Sequence, residues 1–208
     1  MAIVWPCGES VDAYAAAGRG VEVPRAPCPS CGVPMSFRSG YWRYVRQGVA
    51  VRIFVARGQC RRCDRSHGLL PDFCLVGRLD TVEVIGAAVA RAAGGAGVRP
   101  AAEEAGVPHT TARDWRRRHG RRAAVLAAGF AALAVAVGGT APGLAAEPER
   151  ASLEALGAAW DATRGRFGGR TPPVFRFWSL VTGGAALSAT RDPPWAATLG
   201  WVLMPPVP

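Results

Sequence analysis

Apolar positions first fall into a strand-like pattern between residues 35 and 56. Met35 to Ser39, Tyr41 to Arg46 and Val49 to Ala56 read as extended segments, with Gly40 and Gly48 as breaks. In the last of these, Val49, Val51, Ile53 and Val55 alternate with Ala50, Arg52, Phe54 and Ala56, so period two is present and both faces hold apolar groups. From residue 80 the period becomes helical. Asp80 or Thr81 supplies an N-cap, Glu83 stands where a capping box from Asp80 requires it, and Val82, Ile85, Val89 and Ala92 recur at helical spacing until Gly94-Gly95. A short helix around Pro100 to Ala105 and a second beginning at Pro108 to Thr110 flank Gly106, which supplies a positive-φ turn, while Val107 plugs the core. Further helices are expected over Ala123 to Val137, Pro148 to Phe167 and Pro173 to about Leu187. The second places Leu153, Leu156, Trp160, Thr163 and Phe167 three or four apart, and the third carries Val174, Phe177, Trp178 and Val181 up to Gly183-Gly184. Trp160 and Trp178 are expected in the core, and Trp195 to Pro208 forms a Pro-rich tail with Trp195 and Trp201 docking back on the helices.

The chain has 208 residues with 50% hydrophobic and 19% charged, enough for a packed core and too short for a large enzyme. The formal charge of +10 favours an anionic partner. All 25 basic residues are arginine, and Lys and Asn are absent, which GC-rich codon usage accounts for. Codon usage does not account for clustering: residues 41–70 hold seven basic residues against one acidic, and residues 99–122 hold seven against three. Residues 123–146 carry no charge, but their apolar part is shorter than the ~20 residues that cross a bilayer, so a buried helix and no membrane association are expected. Met1 to Pro6 lacks a basic secretory n-region, which places the protein in the cytoplasm, nucleoid-associated when bound to DNA.

Six cysteines in such a chain point to metal ligation or free thiols. Cys28-Pro-Ser-Cys31 and Cys60-Arg-Arg-Cys63 are two CxxC knuckles, each setting two thiolates on one side of a turn, and together they complete a tetrahedral site for a structural Zn2+. Gly32 suits the first turn, and the hairpin between delivers Cys60 beside Cys28. A thioredoxin-type redox pair needs a strand-to-helix βαβ setting, which surrounds neither motif. Iron in an S4 site is the other metal reading, since geometry alone does not separate the two. His67 reads as a surface or hydrogen-bonding residue, Cys74 as a small buried one, and Cys7 has no assignable role.

The segment from Val98 to Arg118 has the order of a helix-turn-helix. Small Ala102 permits close helix approach, and Ala112 and Trp115 face inward. His109, Thr110, Arg113 and Arg117 then occupy the opposite face. Near the helix start, Thr110 and Arg113 are candidates for base reading, with His109 and Thr111 beside them. Arg116, Arg117, Arg118, Arg121 and Arg122 are candidates for phosphate contact. A solvated arginine face on an ordinary helical hairpin is the competing reading.

The two CxxC motifs, His67, Leu70-Pro71-Asp72-Phe73 and Val82-Glu83-Val84-Ile85 resemble a zinc-ribbon domain of unknown function found in short bacterial transposase-related proteins, in which a helix-turn-helix commonly follows. The resemblance covers about residues 1–120 and implies a DNA-binding role in or derived from mobile elements. An RNase H-like transposase holds its metals with three strand-borne acids. The acids after residue 123 are Glu147, Glu149, Glu154, Asp161 and Asp192, in helical surroundings. The expectation is therefore an α+β chain: an approach segment (1–24), a small N-terminal zinc ribbon with β-hairpin (25–78), a helix-turn-helix (79–122), a mostly α-helical interaction bundle (123–190) and a tail (191–208). It acts as a non-catalytic double-stranded-DNA-binding protein, transposase-related or a transcriptional regulator, with a homodimer formed through the C-terminal helices. An active transposase or recombinase component, or a zinc-ribbon interaction adaptor, are the alternatives.

Overall fold

A computed structural model describes residues 2–195 of the chain. Among these residues a sheet of four strands, β1 (Ala2–Trp5), β2 (Ser36–Gln47), β3 (Val49–Gln59) and β4 (Ser66–Pro71), is ordered β1-β4-β3-β2. The α-helices are α1 (Val11–Ala17), α2 (Val82–Arg91), α3 (Val98–Glu104), α4 (His109–Gly120), α5 (Ala123–Ala136), α6 (Pro148–Phe167) and α7 (Val174–Val181). The architecture is thus mixed α+β.

β2 and β3 form the expected hairpin, Tyr41 opposite Val55 and Val45 opposite Val51. Gly40 does not break it. The strand runs through this residue, opposite Ala56, because a Cβ there would overlap the Phe54 ring and lie 2.7 Å from the Val55 carbonyl oxygen. The missing side chain lets Phe54 lie across the strand. The sheet is also wider than the hairpin. β4 pairs antiparallel with β3, and β1 lies parallel to β4 with Ala2 opposite Gly68 and Trp5 opposite Pro71. Ala2-Ile3-Val4-Trp5 is apolar at every position, as a parallel strand covered on both faces must be, and Val4 and Trp5 are buried.

One hydrophobic cluster joins this sheet to Tyr14 of α1 and to Phe73 and Cys74; the other gathers α2, α4, α5, α6 and α7. α7 joins both, giving Leu180 to the first and Phe177, Trp178 and Val181 to the second. In α2, Val82, Ile85, Val89 and Ala92 are buried as their spacing required, and Thr81 is the cap, accepting from the Val84 N–H. The expected capping box does not form. Asp80 instead takes two bonds from Arg46, at 2.7 and 3.2 Å, and Glu83 takes one from Arg176 at 2.7 Å, since charge-assisted bonds to guanidinium outcompete a backbone cap.

α6 has the expected bounds but not the expected inner face. Ala151, Ser152, Ala155, Leu156, Ala159 and Thr163 are buried, whereas Leu153 and Trp160 are only partly so. Small residues bring α5 and α6 together; the larger ones sit at the edges. α7 stops at Val181, six residues before the expected Leu187. Trp195 packs edge-on against Phe130 of α5 at 5.2 Å, as expected of the tail, while Trp201 lies outside the described residues. No helix among the described residues is long and apolar enough to cross a membrane.

His119 pins α4 to this bundle. It is 1% exposed, its Nε2 lies 2.8 Å from Ser152 Oγ, and it meets the Trp178 ring edge-on. Burial depresses it to about 4. A base whose folded value falls below its unfolded value of about 6.5 contributes stability above that pH and loses it on acidification. Unfolding free energy should therefore fall by about 3 kcal/mol between pH 7 and 4 from this group alone. Denaturant titrations across that range check it: His119→Gln should flatten the slope, and an unchanged slope would exclude the histidine as its source.

Candidate metal centre and basic helix

The two CxxC motifs fold into near-copies of one turn. In the first, the Cys28 N–H donates to the Val33 carbonyl at 2.9 Å; in the second, the Cys60 N–H donates to the Arg65 carbonyl at 2.9 Å. The residue after each second cysteine has positive φ, +72° at Gly32 and +50° at Asp64. Glycine made the first turn visible in the sequence. Asp64 disguised the second, although Asp is among the few side chains that tolerate this conformation. β3 and β4 hold the second knuckle between their ends, and the arm before β2 holds the first through the Met35 N–H to Ala26 carbonyl bond of 3.0 Å. Arg65 ties the knuckles together through a 3.0 Å bond to Ser30 Oγ.

The four sulfurs converge. Cys28 Sγ lies 3.5 Å from Cys63 Sγ, Cys31 Sγ lies 3.4 Å from Cys60 Sγ, and all four fall within 4.8 Å of one another. Metal–sulfur bonds of about 2.3 Å in a tetrahedron set sulfurs about 3.8 Å apart, so the cluster fits a thiophilic ion with little adjustment. Protonation leads to the same conclusion. The Cys63 N–H holds Cys60 down at about 6, whereas burial and the Cys28 thiol push Cys63 up to about 12. Thiolates this close do not all ionise unaided, and a central cation is what lets four negative sulfurs coexist.

His67 is 2% exposed on β4, with Nε2 3.9 Å from Cys28 Sγ, so it stands behind the sulfur cage rather than on the surface. Cys74 is fully buried, as its neighbours suggested. Cys7 belongs to a different cluster: its thiol donates to Asp72 Oδ1 at 3.2 Å, and burial, then the Asp72 charge, raises it to about 12. It is neither a metal ligand nor an activated nucleophile.

α3 and α4 are joined by the turn expected at Gly106, whose φ is +64°, with the Val107 N–H donating to the Ala102 carbonyl at 3.0 Å. Ala102, Ala112 and Trp115 are buried. His109, Thr110, Arg113, Arg117 and Arg121 are exposed, and Thr111 is half-buried. Other arginines of this segment are engaged within the molecule. Arg116 pairs with Glu149 at 2.8 Å, Arg117 and Arg118 both reach Asp114 at 2.6 Å, and Arg122 donates to the Ser188 carbonyl at 2.9 Å. The two guanidiniums hold the Asp114 carboxyl below the usual range, Arg118 foremost. Three of the C-terminal acids are engaged as well: Glu147 caps α6, Glu149 pairs with Arg116, and Glu154 accepts from the Ala145 N–H and Arg150.

No curated protein and no solved structure matches the chain. Residues 28–115, from the first cysteine of the cage to Trp115 of α4, match a family model described as a domain of unknown function, DUF6431.

Proposed function

We propose that this chain is a non-catalytic, transposase-related or regulatory DNA-binding protein. In this reading a structural Zn2+ held by Cys28, Cys31, Cys60 and Cys63 fixes the sheet, and α3 and α4 act as a helix-turn-helix on double-stranded DNA. The observation that carries the proposal is the division of α4: Ala112, Trp115 and His119 are buried, and His109, Thr110, Arg113 and Arg117 are presented to solvent. Zinc is preferred over iron because four buried or half-buried thiols in paired knuckles, fastened by backbone bonds, are a closed structural site. Thr110 and Arg113 read base edges, and Arg117 and Arg121 meet phosphates. Arg116, Arg118 and Arg122, through Glu149, Asp114 and Ser188, position the helix and add charge. α5 carries no charge and leaves Val125 and Val135 each 52% exposed, which supports a homodimer through the C-terminal helices.

The test is a titration with duplex DNA, both random and selected from a random pool, at two salt concentrations. Affinity should fall steeply with salt, by a log–log slope of about −0.9 per phosphate neutralised. Arg113→Ala should weaken the selected site more than random duplex, and Arg121→Ala should weaken both alike. A flat salt dependence would defeat the proposal. The same titration reads stoichiometry, two chains per site for the dimer.

A further inference from the structure

From Val23 to Cys63 the chain contains no Asp or Glu and eight arginines. Among the described residues, the one of these that forms an ion pair is Arg46, with Asp80. The β2–β3 hairpin therefore carries nearly all of its charge uncompensated, and it places exposed aromatic rings within that charge. On one face Arg19 lies 5.5 Å from the centroid of Phe54, Phe54 meets Trp42 edge-on at 5.4 Å, Arg52 lies 5.1 Å from the Trp42 centroid, and Tyr44 stands directly opposite Arg52. Cations and rings thus alternate along the ribbon. Tyr44 is 58% and Trp42 39% exposed, large apolar areas to leave in water on a sheet whose core is otherwise closed.

We infer that this face binds unpaired polynucleotide, its bases stacking on Trp42 and Tyr44 while Arg19 and Arg52 meet the phosphates. Residues two apart on a strand are about 7 Å apart. That separation exceeds the about 3.4 Å between bases stacked in a duplex, so the rings suit bases that have been splayed open. Rings on a positive groove form a sequence-tolerant platform, since every base has a π-face. The acid-free composition rejects acidic partners least and matches a polyphosphate chain best. This surface is separate from α4 and does not depend on how α4 is used.

The full-length protein is titrated with an oligothymidylate and an oligouridylate of about 16 nucleotides each. Both should bind with an affinity that falls with salt, and a preference between them identifies DNA or RNA as the natural strand. Tyr44→Ala should weaken binding about tenfold, and Tyr44→Phe should retain it, because the ring and not the hydroxyl makes the stack. Arg52→Gln should reduce the salt dependence. Arg121→Ala, on α4, should leave oligothymidylate binding unchanged while weakening duplex binding. Should the duplex titration fail and oligothymidylate binding persist, the α4 reading falls and this one stands. No binding of either strand at low salt, full affinity in Tyr44→Ala, or equal loss from Arg121→Ala would each overturn it.

Discussion

Arg176→Ala is expected to destabilise the protein by about 3–5 kcal/mol near neutral pH, the range seen when one partner of a buried ion pair is removed. Arg176 lies on α7 with its side chain 14% exposed, and its partner Asp72, at the end of β4, is 1% exposed. The guanidinium lies 3.4 Å from Asp72 Oδ1, 2.7 Å from Glu83 Oε1 and 2.8 Å from the Glu9 carbonyl, and it covers the Phe73 ring. One side chain thus fastens the N-terminal segment, the sheet, α2 and α7. Its loss would leave a carboxylate in a site where desolvation already pushes Asp72 up to about 6, even with the cation present. An acid whose folded value is raised contributes stability below its unfolded value of about 3.9 and loses it as pH rises. Without Arg176 the folded value rises further, so the deficit of the variant should be largest above about pH 7 and shrink on acidification. Denaturant unfolding of wild type and variant at both ends of this range measures it. A deficit under about 1 kcal/mol, or one independent of pH, would mean that water reaches Asp72 and that the pair is ornamental.

Removal of the metal should have an effect of comparable or greater size, confined to a different part of the molecule. Elemental analysis is expected to find one zinc per chain, and chelation or Cys60→Ser should release the knuckles at residues 28–33 and 60–65. Structural zinc contributes on the order of 10 kcal/mol in small finger peptides. Here the sheet also buries Ile53, Val55 and Leu70 against Tyr14 and Phe73, so part of it should survive without metal. The helical cluster of α2 and α4–α7 shares no residue with the cage and should remain protected in hydrogen exchange. Cys7→Ser and Cys74→Ser should leave the metal content unchanged. Metal-free protein with the same melting temperature and the same exchange pattern would refute the site.

Local order explains what could be read early. The CxxC pairs, the β2–β3 hairpin, α2, the Gly106 turn and the inward pair Ala112 and Trp115 each depend on residues within a few positions of one another. Spacing and side-chain chemistry were sufficient to place them. The same holds for the bounds of α6, which Pro148 and Gly168 punctuate.

Other features became visible only in three dimensions. β1 has no alternation to mark it, and it becomes a strand because β4, more than sixty residues away, offers it a parallel edge. The inner face of α6 is chosen by close approach to α5, which rewards alanine over the larger Leu153 and Trp160. Cys7, Asp72 and Arg176 meant nothing singly, and they form one buried network only after α7 returns to the sheet. Likewise Asp80 and Glu83 gave up capping when distant arginines arrived. The sequence alone determined the elements whose energies are local. The tertiary structure decided which face each element buries and which charges meet, because those energies arise from desolvation shared between segments that no window of sequence contains.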